Sequence, residues 1–169
     1  AGVALNARVV AVAGAGGPGP LRGGVGPTVT QVLQEFPNDV GVAFKPLPLP
    51  FHNNAHPAAE AALAAKAQGK FWEMHDKLFA NQQNIKRPYL EKYAQELGLN
   101  MAKFKAFLDA NSGDQRIKAD MALAAQIGVQ GTPNFFINGR PVRGALPFEE
   151  FKKVIDEEVK TADGLIAKG

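Results

Sequence analysis

Apolar positions recur along the chain with two different periods, and the change of period divides it. Arg8-Val-Val-Ala-Val-Ala13 is a short apolar, partly β-branched run that ends in glycine, the signature of a buried strand. Residues 14 to 26 then hold seven of the 18 glycines. From Thr28 to Phe36 the apolar residues Val29, Val32, Leu33 and Phe36 fall at helical spacing, Pro37-Asn-Asp39 ends the run, and Val40-Gly-Val-Ala-Phe44 predicts a second strand. The glycines and prolines up to Pro27 delay any stable helix until about Thr28. This is the order β, α, β with a crossover.

The middle of the chain carries only the helical period. Apolar stripes predict helices over Pro57 to Ala67, Lys70 to Ala80, Arg87 to Leu97, Met101 to Ala110 and Asp114 to Ile127. Gly69, Gly98, Gly113 and Gly128 stand at their ends, where helix C-caps belong. The period of two then returns. Phe135 to Ile137, turned at Asn138-Gly139 into Pro141 to Arg143, reads as a hairpin with the dipeptide most favoured in a type I′ turn. A last amphipathic helix follows Pro147, burying Phe148, Phe151, Ile155 and Val159, and residues 161 to 169 read as a frayed tail. Periodicity by itself supports a generic α/β domain.

Composition narrows the function classes. A chain of 169 residues that is 46% hydrophobic suffices for one domain with a real core. Its 19 basic and 16 acidic residues are interspersed, for a formal charge of +3, which argues against a nucleic-acid footprint or a polybasic membrane anchor. No apolar run reaches the roughly 18 residues of a membrane-spanning helix, and no signal-peptide pattern opens the chain, so we expect no membrane insertion. Cysteine is absent altogether.

Two constellations invite chemistry. Gly14-Ala-Gly16-Gly-Pro-Gly19 satisfies G-x-G-x-x-G after a predicted strand, with Glu35 in the following helix, and leaves open a small-molecule or anion binder. Its context is poor, because a dinucleotide site needs the helix to begin within the fingerprint, and a glycine-rich loop is the simpler reading. His52, His56 and Glu60 stand four residues apart, as metal ligands on one helix face would. Pro57 breaks that pattern: it suits a first helical position and pushes His56 out of the α region, leaving His52 in a loop. We therefore expect no metal and no cofactor. His75 lies on or beside an apolar stripe and reads as a packed, hydrogen-bonded histidine.

The run Gly128-Val-Gln-Gly131-Thr132-Pro133-Asn-Phe-Phe-Ile-Asn-Gly139, with Arg140-Pro-Val-Arg-Gly144 and the helix from Pro147, resembles the closing ββα unit of the DsbA-like thiol-disulfide oxidoreductases. Phe44-Lys-Pro-Leu-Pro-Leu-Pro-Phe-His52, Ala58-Ala-Glu60-Ala-Ala-Leu-Ala and Gly69-Lys-Phe-Trp72-Glu-Met-His75-Asp-Lys-Leu-Phe79 extend the resemblance upstream. It implies a thioredoxin-like fold, βαβ then ββα, as one domain over 1–169 with a helical insertion at about 57–127. It also implies an extracytoplasmic, periplasmic location and an extended polypeptide or protein as partner. Thr132-Pro133 matches the family's cis-proline, beside which a peptide pairs. Laying Pro27 to Phe36 on the family's first helix puts Gly19, Pro20, Leu21 and Arg22 where the family carries Cys-Pro-X-Cys. Both redox positions, Gly19 and Arg22, are then vacant of sulfur. The family's scaffold carries over without its activity, so no catalytic residue is assigned and redox turnover is not expected. Pro20, Leu21, Gly131, Thr132 and Pro133 remain as residues of a peptide groove. A natural redox-dead paralogue, a cysteine-replaced variant of an active oxidoreductase, and a misread stretch at 14 to 26 all fit these residues.

Overall fold

The computed structural model of the chain describes residues 9–15, 26–48 and 54–167. Along them run β1 (Val9–Ala15), α1 (Gly26–Glu35), β2 (Val40–Pro46), α2 (Ala55–Lys66), α3 (Phe71–Ala80) and α4 (Arg87–Glu96). There follow α5 (Met101–Asp109), α6 (Asp114–Gln126), β3 (Asn134–Ile137), β4 (Arg140–Arg143) and α7 (Phe148–Ile166). They form two compact units, one of the strands with α1 and α7, the other of α2 to α6.

In the first unit the strands are ordered β2-β1-β3-β4, and β3 is antiparallel to both neighbours. The hairpin turns as Asn138-Gly139 predicts, with φ of 48° and 88° at its two corners. Alternation along β3 and β4 sends Phe135, Ile137 and Val142 into a core completed by Val32 and Phe36 of α1 and by Phe151 and Ile155 of α7. The Phe135 and Phe151 rings meet edge to face, with centroids 4.9 Å apart. Lys152 Nζ sits 5.0 Å over the Phe36 ring. Helix α1 starts at Gly26, two residues before the expected Thr28. Pro27, in its first turn, needs no N–H partner there.

The expectation of a frayed tail from residue 161 is corrected, because α7 stays helical to Ile166. Thr161 Oγ1 donates back to the Glu157 carbonyl at 2.9 Å, and the Ala167 N–H reaches the Asp163 carbonyl at 3.0 Å.

The helical unit is organised around α2. Its face of Ala61, Ala64 and Ala65 is fully buried, and such small side chains let α3 and α5 approach closely. Met74, Leu90 and Phe104 fill the space between the helices and are wholly buried. Three helices end as their glycines predict. Gly69, Gly98 and Gly128 take φ near +70°, and the next residue's N–H bonds five residues back, as in Lys70 to Ala65, Leu99 to Ala94 and Val129 to Ala124. Gly113 is a correction: it caps the start of α6, while Asn111 (φ 46°) ends α5. The asparagine tolerates the left-handed region, and the Ser112 N–H bonds to Phe107 in the same motif.

Candidate functional site

Beyond Gly128 the chain passes through Val129 and Gln130 to Gly131-Thr132-Pro133 before β3 starts at Asn134. The Thr132–Pro133 peptide bond is cis. Pro133 is tied into the sheet from the far side, where Gly144 (φ 83°), just past β4, donates its N–H to the Pro133 carbonyl at 3.1 Å. Gly131, Thr132 and Pro133 are half-buried. Among the described residues neither the N–H nor the carbonyl of Thr132 has a hydrogen-bond partner. A half-buried backbone with both groups unpaired is uncommon in folded proteins. It can accept one and donate one bond to an added extended chain.

The other members of the expected groove, Pro20 and Leu21, and the vacant redox positions Gly19 and Arg22 lie outside the described residues. So do most of the G-x-G-x-x-G loop, apart from Gly14 and Ala15 at the end of β1, and His52.

His56 and Glu60 do share helix α2, which corrects the expected start after His56: the helix begins at Ala55. Pro57 is tolerated because first-turn N–H groups have no partner within a helix. The two side chains nevertheless turn to different tasks. His56 Nε2 meets Asp114 Oδ1 at 3.2 Å, and Lys118 Nζ holds the other Asp114 oxygen at 2.6 Å. Lys118 first, then His56, keeps the Asp114 carboxyl below its ordinary pKa. Glu60, only 2% exposed, accepts the Gly113 N–H at 2.9 Å through Oε2, while its Oε1 is buried without a partner among the described residues. Sequence reasoning missed this contact. Its one signal was a lone carboxylate inside the alanine run of α2, the wrong residue for a buried face unless something meets it. Gly113 is what meets it, since a Cβ there would stand 2.7 Å from Glu60 Oε2 and 2.8 Å from Leu63 Cδ1. No group of three or more His, Asp or Glu among the described residues could hold a metal ion.

His75 is the packed histidine its position implied. Its ring lies 4.4 Å from Phe79 and 5.4 Å from Trp72, centroid to centroid, and Nδ1 is 3.0 Å from Asp76 Oδ1. Burial pushes the imidazole pKa below its usual value, with the Asp76 contact opposing. No helix among the described residues is long and apolar enough to cross a membrane.

Comparison with known proteins places these features. A family model described as a DSBA-like thioredoxin domain matches residues 19–156. A thioredoxin-like oxidoreductase from Silicibacter pomeroyi DSS-3 superposes with a TM-score of 0.82 at 25% identity, over 92% of this chain and 88% of that one. A periplasmic thioredoxin-like protein from Salmonella enterica serovar Typhimurium gives 0.74 at 23% identity, over 93% and 87%, a likeness of fold. Among curated relatives, the Na(+)/H(+) antiporter NhaA 3 of Salinispora tropica is 38% identical over 137 residues, which are 80% of this chain and 21% of that protein. The chain thus spans about a fifth of the length of that relative.

Proposed function

Because the chain belongs to the DSBA-like thioredoxin domain family and has no cysteine, we propose that it is a peptide-binding member of that family that carries out no thiol chemistry. Disulfide exchange begins with attack by a thiolate, and the sequence offers none. Residues 1–169 act in this reading as one DsbA-like unit, with the helices at about 57–127 as an insertion, in an extracytoplasmic setting. The partner is an extended polypeptide that adds a strand at Gly131, Thr132 and Pro133, with Pro20 and Leu21 as further residues of the groove. The observation that carries the reading is the unpaired backbone of Thr132 beside a cis-proline. Titrating an unstructured peptide into isotope-labelled protein should shift the amide signals of Gly131, Thr132 and Asn134 first. Shifts confined to residues 14–19 on adding a phosphate compound, with none at Thr132, would instead favour the glycine-loop anion binder.

The vacant redox positions have their own test. Gly19→Cys with Arg22→Cys should restore a disulfide and disulfide exchange that the unchanged chain lacks, since thiols three residues apart in sequence can meet the required Cα separation. A double variant that stays reduced under glutathione disulfide would show the positions to be misassigned.

A second reading follows from the Salinispora relative, in which the matching region is a minor part of a protein named as an antiporter. There the unit is an accessory domain of a transporter, and its peptide groove serves that longer chain. Comparing cation exchange in vesicles bearing the relative with and without the matching region tests this.

A further inference from the structure

The cis-proline end of the sheet carries a cation that no carboxylate among the described residues holds. In the β3–β4 register Arg143 stands directly opposite Asn134, the residue after Pro133. Directly opposed side chains leave a sheet on the same face, so Arg143 projects on the side away from Phe135, Val142 and α7. Its strand-mate Arg140, opposite Ile137, projects on the α7 side and is engaged there by Glu157 at 2.7 Å and Glu158 at 3.3 Å. Arg143 is exposed and has no carboxylate or hydrogen-bond partner among the described residues. Nor does it satisfy Asn134, whose Oδ1 is buried without a donor. The bond from Gly144 to Pro133 fixes this end of β4 against the cis-proline, so the Arg143 backbone is held beside Asn134, two residues from Thr132. An arginine offers five donors in a planar fork suited to a carboxylate.

We propose that Arg143 is a specificity-determining residue of the Thr132 groove, selecting extended peptides that carry an aspartate or glutamate beside the residue paired with Thr132. The proposal rests on the peptide-binding reading above and adds to it the charge of the partner.

The test uses three short synthetic peptides with one apolar centre, flanked by aspartate, asparagine or lysine and carrying the same neutral dye. Binding is followed by fluorescence anisotropy. The unchanged protein should bind the aspartate peptide about threefold more tightly than the asparagine one at low salt, the size an exposed ion pair supports. That ratio should shrink as salt is added. Arg143→Gln should bring it to unity, Arg143→Glu should turn the preference to the lysine peptide, and Arg143→Lys should keep part of it. Lys103→Gln removes an equal charge from α5, where the side chain has no ion pair among the described residues, and should leave the ratio as it was. An aspartate preference that survives Arg143→Gln overturns the assignment, as does equal binding of all three peptides. Failure of any peptide to bind would overturn the peptide-binding reading and this proposal with it.

Discussion

The surface of the helical unit and the cis-proline end of the sheet unit treat charge differently, although elsewhere the sheet unit pairs Arg140 with Glu157 and Lys152 with Asp156. On the helical unit, Lys70, Lys77, Arg87, Lys105, Arg116 and Lys118 are each held by a carboxylate, and Glu91 alone serves both Arg87 and Lys105. Of its two buried carboxylates, Asp120 is met by Arg116 and Glu60 is satisfied on one oxygen by backbone. At the cis-proline end of the sheet unit the Thr132 backbone and the Arg143 side chain are both left without partners among the described residues. Exposed pairs stabilise little individually, so the contrast is not chiefly one of stability. It locates the surface that still has bonds to make. The helical unit pairs most of these charges within itself, and the sheet end is where the proposed peptide would find bonds still to be made.

The largest effect expected from breaking this contrast is in the helical core. Phe104→Ala should cost about 3 to 5 kcal/mol, because the ring is wholly buried among α2, α4 and α5 neighbours; chemical denaturation measures it. If the matched surface charges held the unit together instead, the loss would be far smaller. Next comes the buried polar contact. Gly113→Ala should cost about 1 to 3 kcal/mol by overpacking, since the new Cβ meets Glu60 and Leu63. Adding Glu60→Ala should recover part of that loss, and simple additivity in the double variant would deny the contact its role. Gly98→Ala should cost about 1 to 2 kcal/mol for the left-handed backbone alone, with no clash, because nothing lies within 4 Å of the added methyl.

The smallest effect is in pH. His75 is held below its ordinary pKa mainly by burial, so the native state binds its proton less readily than the unfolded chain. Stability is therefore full above about pH 6.5, the unfolded imidazole value, and is lost as pH falls through it. Denaturation midpoints at pH 7.5 and about pH 5.5 should differ less in His75→Phe, which keeps a ring between Phe71 and Phe79, than in the unchanged protein. Equal slopes in the two proteins would assign the acid sensitivity elsewhere.

What the sequence made legible were features whose cause is local. Asn138-Gly139 and the glycines at 69, 98 and 128 ask for positive φ wherever they occur, and the structure grants it. Apolar spacing likewise placed the helix ends within a residue or two, except that α7 runs to Ile166, past the expected end near residue 160. Gly113 and Glu60 misled or stayed silent because their cause is a contact 53 residues apart in sequence. The start of α2 was misjudged because a local rule about the residue before proline yielded to the freedom of a first helical turn. The site divides in the same way. Thr132 and Pro133 were identified through resemblance, while the idleness of the Thr132 backbone and the isolation of Arg143 depend on which strands lie beside them. No window along the chain contains that information.

The distribution of aromatic rings has a practical consequence. Trp72, the single tryptophan, lies on α3 and is 45% exposed, and both tyrosines, Tyr89 and Tyr93, lie on α4. The sheet unit absorbs in the near ultraviolet through phenylalanine alone. Intrinsic fluorescence is thus a reporter of the helical unit, with the His75 imidazole against the indole as a built-in quencher when protonated. Circular dichroism in the far ultraviolet sees both units at once. Superposing the two signals during unfolding tells whether the units melt together, with no label attached.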